Sequence, residues 1–202
     1  MGDGAGLSPR GENMSLNEFV LAFSGVIIGL GVADLLTSLH RLLRAGRRVR
    51  WDWLTLVYAG YMLFGLIIFW WWQFGYPPKG QALTILQFLP NLFFLALGFL
   101  MVASALPDDV PASGIDLRAF YAETITHRWG LLAASLACNL ITLIWGAIAA
   151  GQPQWLPILI VSGALAAAGA ALLWRSRWVH ACSLLLLFFA SGFSNLFDSI
   201  GP

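Results

Sequence analysis

Six apolar runs, at about 19–39, 54–74, 83–106, 129–150, 156–174 and 179–197, are each long enough to cross a bilayer, and they limit the chain more than any other feature. In hydrocarbon a segment must satisfy its own backbone, so runs of this length predict helices rather than open sheet. Only 10% of the 202 residues are charged, against about 25% in a soluble domain. The expected fold is therefore all-α, a polytopic transmembrane bundle of six spans forming a single domain over 14–202. Residues 1–13, Gly-rich and polar, read as a disordered or extended segment or an alternative start before Met14. Ser15 and Glu18 have the spacing of a capping box that starts the first helix.

The loops set the orientation. Arg41, Arg44, Arg47, Arg48, Arg50, Arg118, Arg128, Arg175 and Arg177 fall on one side of such a bundle, and Arg10 and Lys79 on the other. Positive residues stay inside, so the nine face the cytoplasm and both termini lie on the non-cytoplasmic side. Trp51, Trp53, Trp129, Trp174 and Trp178 then mark the cytoplasmic interface, and Trp70–72 with Trp155 the outer one. Three consecutive tryptophans point in three directions on a helix, which suits an interfacial anchor better than a stacking platform. The segment 116–128, capped by Asp116, reads as an interfacial helix with Glu123 and His127 on one face.

Within the first run, Gly25, Gly29 and Ala33 recur every fourth residue and predict a close helix contact. Asp34 lies on roughly the opposite face. A carboxylate facing lipid costs at least ~2.5 kcal/mol, so protein is expected on both sides of this helix, at the centre of the bundle. Bonds from Ser or Thr hydroxyls, Arg41 or Arg128 would satisfy Asp34. Gly163, Ala167 and Gly169 make the fifth run small nearly all round, again suited to close packing.

No sequence pattern supports catalysis: there is no Gly-x-Ser-x-Gly, no phosphate-binding glycine loop and no His-Glu-x-x-His. Asp108-Asp109 stands without a second acidic motif and reads as a solvated loop. His40, His127 and His180 share one predicted depth and, with Glu123, form the one metal-ligand set the sequence offers, though no close ligand motif supports it. Cys138 and Cys182 lie within apolar runs and predict neither a disulfide framework nor a zinc cluster. Asp34, Asn91, Asn139 and Asn195 are candidates for a polar path across the membrane; lone Asn residues also serve as interhelical hydrogen bonds. No cofactor is indicated, and a net charge of +1 gives no reason to expect nucleic acid.

From Met14 onward, SLNEFVLAFSGVIIGLGVADLL, a basic loop with WDWL, FWWWQF and DLRAFYAETITHRW together resemble an uncharacterised family of small bacterial six-helix membrane proteins. That resemblance covers nearly the whole chain and implies a multi-pass protein of the bacterial inner membrane, with no activity attached. Ala22-Phe23-Ser24-Gly25, Phe69-Trp70-Trp71, and Asn91-Leu92 with Pro107 are remotely similar to the six-helix potassium-channel family with an Arg…Phe-Ser-Asp signature. Gly25 stands where that family has its Asp, and the Arg is missing, so no functional residue carries over. The expected function is a non-catalytic accessory or structural subunit that packs through Gly/Ala-rich faces against other membrane subunits or a second copy. The alternative is a small ion or solute channel using Asp34 and the Asn residues.

Overall fold

The computed structural model describes residues 16–73, 84–152 and 155–195, with the side chains of 16, 17, 87 and 192–195 left aside. Six α-helices dominate: α1 (Leu16–Ala45), α2 (Trp53–Gln73), α3 (Ile85–Ala103), α4 (Leu117–Ala150), α5 (Trp155–Leu173) and α6 (Arg177–Asn195). Four of them, α1, α2, α4 and α5, are long and apolar enough to cross a membrane; α3 and α6 contribute shorter apolar stretches. Ser15, Asp198, the turn at 75–78 and Pro153 lie outside the described residues.

α2, not α1, is the centre of the bundle: it packs against α1, α3, α4 and α6, while α5 closes the side between α4 and α6. Leu54, Tyr58, Met62 and Leu66 put one buried residue per turn on α2. α1 answers with Val20, Ser24, Ile28, Gly31, Leu35, Ser38 and Leu42, a stripe spaced by three or four residues that buries one face. The glycine that brings α1 close is Gly31, where an added Cβ would stand 3.2 Å from Leu66 Cδ2. On α3, Gly98 receives the other Leu66 methyl, its Cβ position 3.4 Å from Cδ1. Leu66 thus sits in a slot that two glycines leave open.

α1 and α4, at 30 and 34 residues, measure about 45 and 51 Å at ~1.5 Å per residue, well over the ~30 Å of hydrocarbon. The segment expected as a separate interfacial helix is instead the first three turns of α4. It starts where expected: Asp116 Oδ1 accepts from the backbone N–H of Arg118 at 2.9 Å and of Ala119 at 3.4 Å. α4 ends at Gly151, whose φ of 64° makes the left-handed cap.

Both long helices meet at a two-stranded parallel pair, β1 (Val49–Arg50) and β2 (Ile115–Asp116), with Val49 opposite Ile115 and Arg50 opposite Asp116. Gly114 makes the approach possible. Its φ is 90°, and a Cβ there would stand 2.5 Å from the Arg48 carbonyl oxygen, so no other residue fits without moving the strand. Arg50 also pairs with Asp116 at 3.2 Å, and Arg41 reaches the connection before β2 through the Asp108 carbonyl and Asp109. The arginine-rich exit of α1 is therefore bound to the start of α4.

Candidate functional site

The polar chemistry of the chain gathers at this arginine end, where α2, α4 and α6 begin and α3 and α5 finish. Asp52 caps α2: its Oδ2 accepts from the Thr55 backbone N–H at 3.2 Å and the Thr55 hydroxyl at 3.1 Å. The same hydroxyl lies 3.0 Å from the Leu117 carbonyl at the start of α4. Oδ1 of Asp52 pairs closely with Arg177 of α6, whose guanidinium also lies over the Trp53 ring. Burial by itself would raise the Asp52 carboxyl; Arg177 and the Thr55 donors outweigh it and hold its pKa below the ordinary value.

Behind this pair is an aromatic layer. Trp129 is fully buried, donates from Nε1 to the Tyr121 hydroxyl at 3.0 Å, and lies with Tyr121 against the His180 ring. His180 Nε2 is bonded to the Ala171 carbonyl at 2.9 Å, and Ser183 donates to the Ala167 carbonyl at 3.0 Å. Two polar side chains of α6 thereby dock onto the backbone of α5, where Ala164, Ala168 and Ala171 are buried and allow close approach. Tyr58 donates to the Arg128 carbonyl at 3.3 Å.

Arg128 itself is fully buried. One Nη donates to the Ala105 carbonyl at 2.9 Å, and the guanidinium lies 4.7 Å from the Phe120 ring centre, 5.2 Å from Tyr58 and 5.3 Å from Tyr121. Such contacts are worth ~2 kcal/mol each where water is excluded. The sequence reading put Arg128 in a loop and Trp129 in the interfacial belt; both are core residues, because the first turns of α4 enter the bundle instead of running along its edge. Asp52 was missed altogether. Its signal was the Asp-x-x-Thr spacing at the start of the second apolar run, a helix cap in which the acid has one oxygen to spare for a cation.

The residues proposed from sequence are placed differently. His40, His127 and Glu123 are exposed and His180 is buried, and among the described residues no three His, Cys, Asp or Glu side chains converge to hold a metal. Asp34 is half-buried on α1, with no bond to Arg41, Arg128 or a Ser or Thr hydroxyl among the described residues. Asn91 accepts from Gln73 at 2.9 Å, and Asn139 is half-buried on α4. No hydrogen bond among the described residues joins Asp34, Asn91 and Asn139, and the side chain of Asn195 is outside the description. Both cysteines are free.

Gly29 and Ala33 face outward and Gly25 is half-buried; among the described residues nothing lies within 4 Å of a Cβ built on either glycine, so no described helix packs there. Gly163 is exposed, while Gly169 and Ala167 are half-buried beside the buried Ala168. No protein-family model matches the chain, and neither does any curated protein or solved structure.

Proposed function

We propose that this protein is a six-span, non-catalytic subunit of the bacterial inner membrane that assembles through the outer face of α1 with other membrane subunits or a second copy of itself. The observation that carries this reading is the uncovered face itself. At ~100° per residue, Gly29, Ala33, Thr37 and His40 share one side of α1, all exposed. Small residues at such spacing let a partner helix approach, and a hydroxyl and an imidazole on one membrane-facing side are costly against lipid. A partner helix lowers both costs. The excess of arginines at the other helix ends favours a cytoplasmic arginine end and termini on the opposite side.

Disulfide trapping in native membranes tests the reading. With Cys138 and Cys182 changed to Ser, Gly29→Cys or Ala33→Cys is expected to give an oxidant-dependent covalent dimer, whereas Ala164→Cys, buried inside the chain, is not. For a partner of another kind, the same two positions carrying a photo-crosslinker are expected to yield a heavier adduct. If neither treatment shifts the band at either position, the reading is wrong.

A further inference from the structure

The nine arginines at one end of the bundle divide by what holds them. Arg41, Arg50 and Arg177 pair with Asp109, Asp116 and Asp52, and Arg128 is buried among rings. The side chains of Arg44, Arg47, Arg48, Arg118 and Arg175 are exposed and make no hydrogen bond or ion pair among the described residues. The acids left outside ion pairs at this end are Asp108 and Glu123, so free cations outnumber free carboxylates by five to two.

Four of the five belong to one stretch of surface. Arg44 lies in the last turn of α1, and Arg47 and Arg48 in the single 3-10 turn that follows, Gly46–Arg48. The pairing of β1 with β2 sets Arg50 opposite Asp116, two residues before Arg118, so the first turn of α4 adjoins the exit of α1. The stretch is held in place from behind: Gly114 packs against the Arg48 carbonyl, Arg50 is tied to Asp116, and Arg41 to the Asp108 carbonyl. Trp51 and Trp53, next along the chain, are exposed. Exposed indoles of a membrane bundle settle at the headgroup level, which is the depth of the lipid phosphates.

A guanidinium fork matches two phosphate oxygens, and an exposed one has little hydration to lose on binding them. Anionic headgroups gather at clustered arginines beside a membrane helix, whereas a zwitterionic headgroup brings its own cation and gains much less. We infer that Arg44, Arg47 and Arg48, with Arg118, bind the phosphate of an anionic phospholipid. The inference rests on the membrane reading above and not on assembly through the outer face of α1.

Native mass spectrometry of the delipidated full-length protein in a non-ionic detergent, titrated with a phosphatidylglycerol and with a phosphatidylcholine of the same chains, gives the dissociation constant of the first bound lipid. Phosphatidylglycerol is expected to bind about tenfold more tightly or better. Each arginine near an anionic headgroup is worth about a factor of five, so Arg44→Gln, Arg47→Gln and Arg48→Gln together should weaken phosphatidylglycerol roughly a hundredfold and leave phosphatidylcholine unchanged. These side chains are exposed and unbonded, so the triple variant should keep the wild-type unfolding midpoint. Lys at the same three positions keeps the charge and should retain most of the binding. Soluble glycerol phosphate should not displace the lipid, which separates a headgroup site from a free-phosphate site. Equal affinity for the two lipids, a loss of less than about tenfold in the Gln variant, or displacement by glycerol phosphate overturns the inference. Gly29→Leu should bind phosphatidylglycerol as the wild type does, so this inference and the assembly reading fail separately.

Discussion

The arginine end and the outer face of α1 carry similar kinds of polar residue and put them to opposite uses. At the arginine end, Asp52, Thr55, Tyr58, Arg177 and His180 are each bonded to another element of the same chain, and Tyr121 and Trp129, bonded to each other within α4, lie against the His180 ring of α6. On the outer face, Thr37 and His40 are exposed beside Gly29 and Ala33, and no helix among the described residues covers them. A polar side chain in a membrane bundle needs protein around it. At one place the chain supplies that protein; at the other it leaves the need open, which is the basis for reading the first as fold and the second as assembly.

Substitutions should separate the two uses. The largest effect is expected for Trp129→Ala, which removes a fully buried ring together with its contacts to Tyr121 and His180: about 3–5 kcal/mol of stability in a denaturant titration of the detergent-solubilised protein, with assembly of the remaining folded protein unchanged. Loss of assembly without loss of stability would merge the two regions.

Asp52→Asn is next. It weakens a cap and breaks the pair with Arg177, at a cost of about 1–2 kcal/mol. Because the folded-state pKa of Asp52 is lowered from its ordinary 3.8, the stability it adds is fully present above that value and is lost as pH falls through the lower folded value. The difference between wild type and Asp52→Asn should therefore be constant from pH 5 to 8 and shrink below about pH 4. A difference that instead changes between pH 5 and 8 would assign the effect to another group.

The smallest effect on stability belongs to Gly29→Leu, expected within about 0.5 kcal/mol because a Cβ there has no atom within 4 Å among the described residues and the position is exposed. A cost of several kcal/mol would mean that α1 is covered from within.

Much of this architecture was legible in the sequence. The helices sit close to where apolar length and Gly/Pro punctuation put them, and the caps at Asp116 and Gly151 follow from local chemistry alone. What hydropathy could not give is which side of each helix faces inward. Lipid is as apolar as a leucine side chain, so a buried stripe and a lipid-facing stripe read alike. Hence the sequence pointed to Gly25, Gly29 and Ala33 as the close contact on α1, while the bundle uses Gly31 against Leu66. Arg128 and Trp129 were misplaced for a related reason: a charge beside an aromatic looks like a membrane boundary, and only the path of α4 past Ala105 and Tyr58 makes them core.

The central claim is that the outer face of α1 is completed by another helix. Native mass spectrometry of the wild-type protein and of Gly29→Leu, each released from membranes in a mild detergent, tests it most directly. The account predicts a wild-type mass above the 22.0 kDa of one chain, from a second copy or a co-purifying subunit, and a fall to the single-chain mass in Gly29→Leu. A wild-type protein found only as the lone 22.0 kDa chain, or a Gly29→Leu complex of undiminished mass, would contradict it.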